Sequence, residues 1–521
     1  MTTVDLLASP RVYLVGAGPG DPGLLTLRAC EVLARATFVL YDQLVSPRIL
    51  ERIPAACEAV SVRDLPGHHP ERWPHIHDRL ISEARKGHIV VRLKGGDPLI
   101  FGRGGEEAEA LREAGIAYEI VPGITTALAA GAYADLPLTH RLHSSAIALV
   151  TGHEQPGKVG SLLDWKALAA FPGTMVIYMG MGRVGIIVAE LVKYGKHPDT
   201  PAMIVHRVST GEQKSAKATL GTAEAVIRRE GLTNPSLIVV GAVVEARPEK
   251  SWFELRPLLN RRVLVTRPRA QAEPMLRALE LLGAVPCPMP LLEIVGPADD
   301  SAAKRAIADL ARDAFDWLIF TSSNGVDSFF ARLEAGGLDS RVLGRTKIAC
   351  VGRATASTLR AHGLIADLTP LQMTSEGILR AAGDTMKGRR ILLAQADGAR
   401  DLLRIELGKA ATVTSAAFYA QKPIRDEGSI YIDALRRAEV DVVTITSPNI
   451  AGIFADLCDE TIRGRIERGE VHLVSNGPRI TKTLVDRGLT VRREADDPTM
   501  EAILDAVVSL YAVEGVVSET P

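Results

Sequence analysis

The chain has little cysteine for its length: five in 521 residues, at Cys30, Cys57, Cys287, Cys350 and Cys458. None forms a CxxC pair, which excludes a zinc ribbon and a disulfide framework and leaves small buried hydrophobes in a reducing compartment. No metal is expected. Charge of one sign is also lacking. Lys and Arg number 61 against 62 Asp and Glu, for a net charge of −1, so the chain carries no general nucleic-acid-binding field. Apolar runs such as "SLIVVGAVV" fall well short of the ~20 residues that span a bilayer. Asp5 stands where a signal peptide would carry basic residues, and no apolar core follows it. A cytoplasmic chain without nucleic-acid or membrane partners is expected.

What is present is ample apolar mass, 46% of residues, with 24% charged. At ~150 residues per domain the length suggests three or four units. Short β-branched runs ("RVYLVGAG", "HIVVRLKGGDP", "AIALVTGH", "TMVIYMGM", "PAMIVHRV") alternate with helical patterns, which reads as α/β architecture. From Glu245 to Arg262 the texture turns polar and Pro-containing, and residues 249–260 are read as a linker between domains at 1–248 and 261–513.

The second domain repeats itself. "FDWLIFTSSNGVDSFF" echoes "VDVVTITSPNIAGIF", and "IACVGRATASTLRAHGL" echoes "HLVSNGPRITKTLVDRGL". Ser322 and Ser447 are 125 residues apart, as are Gly352 and Gly477. One offset in two motifs implies two similar α/β lobes, each with a strand–TS turn and a strand–G turn opening a helix. The lobes are placed at 261–293 with 424–513 and at 294–413, around a hinge at 414–423. Two such lobes commonly face a ligand cleft.

The first strand runs into "VGAGPGDPG", where Gly16 and Gly18 fit two glycines of GxGxxG. The third position is Asp21, whose carboxylate would repel a pyrophosphate at a helix start. A loop approaching a ligand without phosphates fits better. Three more loops share its character: "RLKGGDPLIFGRGGEE", "VPGITTALAAGAYADLPLTHR" and "VIYMGM".

Taken together with "VLYDQLVS", "TGH" and "NPSLIVVGAVV", these loops over about 245 residues resemble the tetrapyrrole methylases, most closely the uroporphyrinogen-III C-methyltransferases. The resemblance implies a two-subdomain fold and S-adenosylmethionine bound between the subdomains. It assigns Pro19, Gly95, Gly96, Asp97, Ile100, Thr125, Thr126 and Met179 to the donor. A sulfonium cation with a flat adenine suits glycine backbones, an Asp and apolar walls. The acceptor would be a tetrapyrrole with eight carboxylates, for which Arg92, Lys94, Arg103, His140 and Arg141 are the nearby cations. Each is equally at home as an ordinary surface charge. Asp42 matches the family's proton acceptor, with a strand-end cap as its competing role. The family is dimeric, so a homodimer is expected. One departure is plain. Where the family reads "GKRxGxH", this chain has "SVRDLPGHH", placing Asp64 at the family's Lys, with Arg63 and His68 as neighbouring substitutes.

The second half resembles the uroporphyrinogen-III synthases in "RVLVTRPRAQAEPMLRALELLGA", "DWLIFTSSNGVDSFF", "CVGRATASTLRAHGL", "AAFYAQKP" and "VTITSPNIAGIF". The implied reaction closes linear hydroxymethylbilane into a ring while inverting its last pyrrole. Tyr419 matches the family's functional tyrosine, able to donate to the departing hydroxyl. Ser322, Ser323, Gly352, Thr355, Ser447, Asn449, Gly477 and Thr481 stand on turns suited to substrate carboxylates, with helix capping as the rival role. "GPRIT" departs from the family's "GPTTA", putting Arg479 and Ile480 at the threonine positions. The resemblance thus implies a fusion that makes uroporphyrinogen III and methylates it twice to precorrin-2, on the sirohaem or cobalamin route. Two rivals stand beside it: methylation of a later corrinoid, or one half kept as a silent tetrapyrrole-binding module.

Overall fold

The computed structural model describes residues 11–67, 72–153, 162–426 and 428–512. Its contacts divide into two compact units, the first built mainly on residues up to Val263, the second on Leu264–Leu276 and Cys287–Val507.

The first unit holds two sheets. In one, β1 (Val12–Gly16), β2 (Phe38–Tyr41), β3 (Glu58–Ser61), β4 (Val90–Lys94) and β5 (Tyr118–Val121) run in the order β3-β2-β4-β1-β5. All of its pairings are parallel. Parallel strands need helices on both faces, and each face carries its own apolar cluster, one around Val15, Leu33 and Val91, the other around Leu14, Phe38 and Leu80. That is why these strands read as continuous apolar runs.

The other sheet contains β6 (Ile147–Thr151), β7 (Thr174–Tyr178), β8 (Pro201–His206), β9 (Lys214–Thr219) and β10 (Ser236–Val240), ordered β6-β7-β10-β8-β9. Only β6–β7 is parallel; β10 pairs antiparallel with β7 and β8, and β8 with β9.

Residues 249–260 are folded, where a linker was expected. Trp252 donates its indole N–H to Ala132 O at 2.9 Å, and Asn260 N donates to Gly211 O at 2.7 Å. The Tyr133 ring packs 5.3 Å from Trp252 and 4.9 Å from Phe253. Burial of Phe253 and Leu258 holds the segment down, because its aromatic and leucine side chains find an apolar surface that polar composition alone concealed.

The remaining strands are β11 (Arg262–Val265) and β12 (Val285–Pro288), whose first two residues each are counted with the first unit, and, within the second unit, β13 (Leu292–Val295), β14 (Trp317–Phe320), β15 (Lys347–Cys350), β16 (Arg390–Ala396), β17 (Thr412–Pro423), β18 (Val442–Ile445), β19 (His472–Ser475) and β20 (Arg493–Glu494). They form two sheets, β12-β11-β18-β19-β20 and β13-β17-β16-β14-β15. The internal repeat survives to the level of register. Phe320 lies opposite Cys350 in the β14–β15 pair, and Ile445 opposite Ser475 in β18–β19, each 125 residues on. The expected hinge at 414–423 lies within β17, whose last four residues pair antiparallel with β13. Residues 292–293 therefore belong to the second lobe's sheet. Two paired strands make this connection, because each satisfies the other's backbone groups.

Candidate functional site

In the first unit, three glycine loops meet at the C-terminal ends of β1, β4 and β5. Gly18 N donates to Gly96 O at 3.1 Å, and Gly96 N returns a bond to Gly18 O at 2.7 Å. Both have positive φ, 74° and 67°, which favours glycine. A Cβ on Gly123 would sit 2.2 Å from Gly96 O, so only glycine allows the third loop to close on the other two. Asp97 locks the arrangement: Oδ1 accepts from Leu99 N at 2.8 Å and Oδ2 from Gly123 N at 3.1 Å.

The second sheet contributes Tyr178, at the end of β7. Its hydroxyl lies 2.7 Å from Thr125 Oγ1 and accepts from Ala127 N at 2.8 Å. Its ring packs 4.9 Å from Phe101. Phe101, Arg103 and Met179 all hold positive φ, between 54° and 58°, in loops at this site. Backbone strain of this kind concentrates at ligand sites. Met179 is exposed and Ile100, Thr126 and Pro19 are half-buried, each on one of these loops. Tyr178 was absent from the expected donor set. Its position at a strand end beside Met179 was the only signal, because its partners lie some fifty residues away.

Both carboxylate oxygens of Asp21 are engaged within the fold. Its Oδ1 accepts from Gly23 N at 2.7 Å, and its Oδ2 accepts from the Tyr133 hydroxyl at 2.6 Å. It caps one turn and braces the helix Thr126–Tyr133.

Arg92 and Lys94 lie inside the unit, not at its surface. Both are fully buried beneath the helix Gly104–Glu113. Arg92 Nε donates to Glu107 Oε1 at 2.9 Å and Nη2 to Asp42 Oδ1 at 2.5 Å. Lys94 Nζ donates to the same Glu107 oxygen at 2.9 Å and stands 3.9 Å from Asp42 Oδ2. Burial, then the adjacent Arg92, holds the Lys94 ammonium below the ordinary lysine range. Glu107 was not anticipated in the sequence. Asp42 alone of the four is partly open, with about 29% of its side chain exposed. Arg103 stacks on the Trp73 ring at 3.9 Å and pairs with Glu106. His140 joins Ser144 in a short bridge, and Arg141 is exposed. Asp64 ends the exposed turn Val62–Asp64, with Arg63 beside it; His68 falls outside the described residues.

In the second unit the site centres on Tyr419. The β16–β17 register shifts after Gln395, which pairs with Ala417, while Ala396 pairs with Tyr419. Phe418 is thereby bulged, and such a bulge re-aims the next side chain. The buried Tyr419 hydroxyl lies 2.8 Å from Ser322 Oγ. Burial raises the phenol's pKa, opposed by hydrogen bonds from Ser322 and Asn324. Gln271, from the other lobe, bonds Asn324. Asn449 donates to Gln421 Oε1 of β17 at 2.6 Å. Gln271, Asn324 and Gln421 went unnamed in the sequence, which holds no motif for them.

Several of the expected substrate ligands stand at helix starts. Ser322 and Ser447 accept from Gly325 N and Ile450 N at 3.0 and 3.2 Å, and Gly352 and Gly477 begin helices. Ser323 opens the helix after Ser322. Thr481 Oγ1 lies 2.6 Å from Ser475 Oγ and bonds Glu494. Thr355 is 4% exposed and Ile480, its repeat equivalent, 5%. The position therefore faces the core in both lobes, which explains why an isoleucine is accepted there. The exposed Arg479 acts electrostatically on Glu376 of the other lobe. Among the described residues, no cluster of His, Cys, Asp and Glu could hold a metal ion.

Residues 11–224 match the tetrapyrrole (corrin/porphyrin) methylases, and residues 273–505 match uroporphyrinogen-III synthase HemD. The chain is 35% identical over 455 residues to a porphyrin biosynthesis protein HemD of Ruminiclostridium josui, covering 86% of this chain and 89% of that one. It is 46% identical over 234 residues to an S-adenosyl-L-methionine-dependent uroporphyrinogen III methyltransferase of Methanosarcina barkeri, covering 45% and 92%. A uroporphyrin-III C-methyl transferase of Thermus thermophilus, solved with S-adenosyl homocysteine, is 43% identical over 45% of this chain and 99% of its own, with a TM-score of 0.39.

Proposed function

Because the chain belongs to the tetrapyrrole methylases in its first half and to the uroporphyrinogen-III synthases in its second, we propose that it is a bifunctional enzyme of tetrapyrrole synthesis. The second unit closes hydroxymethylbilane to uroporphyrinogen III with inversion of the last pyrrole. The first transfers two methyl groups to that product, giving precorrin-2. The observation that carries this reading is the meeting of the Gly18, Gly96 and Gly123 loops with Tyr178 of the second sheet.

S-adenosylmethionine supplies the methyl group. The loops suit it: bare glycine backbone leaves room for close approach. Pro19, Gly95, Gly96, Asp97, Ile100, Thr125, Thr126 and Met179 are the residues that would hold it, with Tyr178 fixing Thr125. Alignment is most of what methyl transfer to an electron-rich pyrrole carbon requires. Asp42 then accepts a proton from a bridging carbon beside the methylated pyrrole, since the methylated carbon itself bears none, with its carboxylate oriented by Arg92. In the second unit Tyr419 donates to the departing hydroxyl of the linear substrate.

The proposal extends to a cytoplasmic homodimer. Edge strand β6 exposes Ile147 and Leu149, an apolar rim that a second copy would cover. Light scattering should return twice the chain mass. Activity is tested by giving the purified chain hydroxymethylbilane and labelled S-adenosylmethionine. A dimethylated type III product is expected. Only type I isomer would sink the synthase reading, and unmethylated type III the methylase reading.

A further inference from the structure

The loop after β11 carries a cation that nothing in the described fold neutralises. Thr266 Oγ1 donates to Thr444 O at 2.6 Å, and Thr444 Oγ1 donates to Leu264 O at 3.0 Å. Leu291 N donates to Thr266 O at 3.2 Å. These bonds fix the strand end, and Pro268 biases the preceding residue, Arg267, toward extended backbone. Arg267 is half-buried, and among the described residues its side chain forms no hydrogen bond or ion pair. Burial lowers its pKa from the ordinary arginine value, with no carboxylate opposing. Arg92, by contrast, has Asp42 and Glu107 as counter-ions.

A guanidinium withdrawn from water without an anion is a cost that packing does not offset. Its five N–H groups form a rigid fork that matches a carboxylate. The surroundings are those of the synthase site. One helical turn onward Gln271 bonds Asn324, which bonds Tyr419. Ser447 tops β18, the strand beside β11 in the sheet order. The C-terminal ends of strands are where open α/β sheets take their ligands.

We propose that Arg267 is a carboxylate-binding residue of the synthase site, taking an acetate or propionate side chain of the linear tetrapyrrole. The inference rests on the synthase reading above. A carboxylate there completes the fork and locates one pyrrole relative to Tyr419.

The test is steady-state synthase kinetics of the full chain with hydroxymethylbilane, alongside thermal unfolding. Arg267→Met should raise KM about ten-fold or more while kcat falls less. Arg267→Lys should recover part of that loss. The unfolding midpoint of Arg267→Met should equal or exceed that of the native chain, because an unpaired half-buried charge has been removed. A KM within two-fold of native overturns the proposal, and so does a lowered midpoint with KM unchanged. If the unaltered chain forms no type III isomer, it is the synthase reading that fails, before any Arg267 variant is compared.

Discussion

The hydroxyls of Tyr419 and Ser322 lie 2.8 Å apart, one from a bulged strand and the other from a helix start ninety-seven residues earlier. Ser322 also caps its helix through Gly325 N. One serine thus caps its helix and holds the Tyr419 hydroxyl. Tyr419→Phe should lower synthase kcat about 100-fold, the lower range for a positioned general acid. It should leave methylation of supplied uroporphyrinogen III unchanged. Ser322→Ala should cost about 1 kcal/mol through the lost cap, with a smaller loss of kcat. Isomer analysis of the oxidised porphyrin product measures both, and an unimpaired Tyr419→Phe would remove the tyrosine from the chemistry.

Tyr178 makes two hydrogen bonds into the helix start that carries Thr125. Tyr178→Phe keeps the ring against Phe101 and deletes only the hydroxyl. Each buried hydrogen bond is worth about 1 kcal/mol, so KM for S-adenosylmethionine should rise roughly ten-fold. Synthase activity provides the internal control. An unchanged KM would show that Thr125 is held without it.

Glu107 is the shared anion of Arg92 and Lys94, and among the described residues its Oε2 has no hydrogen-bond partner. Glu107→Gln leaves two buried cations with only Asp42 nearby. Breaking a buried ion pair from one side costs about 3–5 kcal/mol. Urea unfolding followed by loss of methylation should move to lower denaturant by that amount. A variant as stable as the native chain would mean that the cations find water or another anion.

Burial pushes the Cys350 and Cys458 thiols up to about 12, from an ordinary 9.0. A raised folded-state pKa favours the protonated, folded form. The associated stability is whole below pH 9 and lost as pH rises toward 12. At pH 8 only about one such thiol in 10,000 is ionised, so iodoacetamide should leave both unmodified in the native chain and label them after unfolding. Peptide mapping by mass spectrometry reads the outcome. Rapid native labelling of either would show that it is not buried.

The fold was largely legible because its signals are local or periodic. Parallel strands covered on both faces leave apolar runs, and a duplicated lobe leaves a fixed offset that reappears in the Phe320–Cys350 and Ile445–Ser475 pairings. The glycine loops were legible for a steric reason: where backbones touch, as at Gly123, no other residue fits. Burial of charge was not legible. Arg92 and Lys94 look like surface cations until the helix bearing Glu107 is laid over them. Tyr178, Asn324 and Gln271 depend on partners far off in sequence, and no periodicity announces such a bond. The linker was misread because Trp252 and Phe253 are too few to mark a packed segment.

Asp21 offers the sharpest check on the first loop. It occupies the third position of a dinucleotide fingerprint, yet its carboxylate is spent on Gly23 N and the Tyr133 hydroxyl. Asp21→Gly would complete GxGxxG in sequence. If glycines alone made a phosphate cradle, the variant should gain affinity for NAD(H). The geometry argues otherwise: Gly18 and Gly96 are already joined backbone to backbone, and the Pro22–Leu24 turn would lose its cap. The expected result is no nicotinamide binding by fluorescence titration to millimolar concentration. Stability should fall by about 1–3 kcal/mol, because the buried Tyr133 hydroxyl loses its acceptor. Binding of NAD(H) would overturn the view of this loop as one wall of a methyl-donor site.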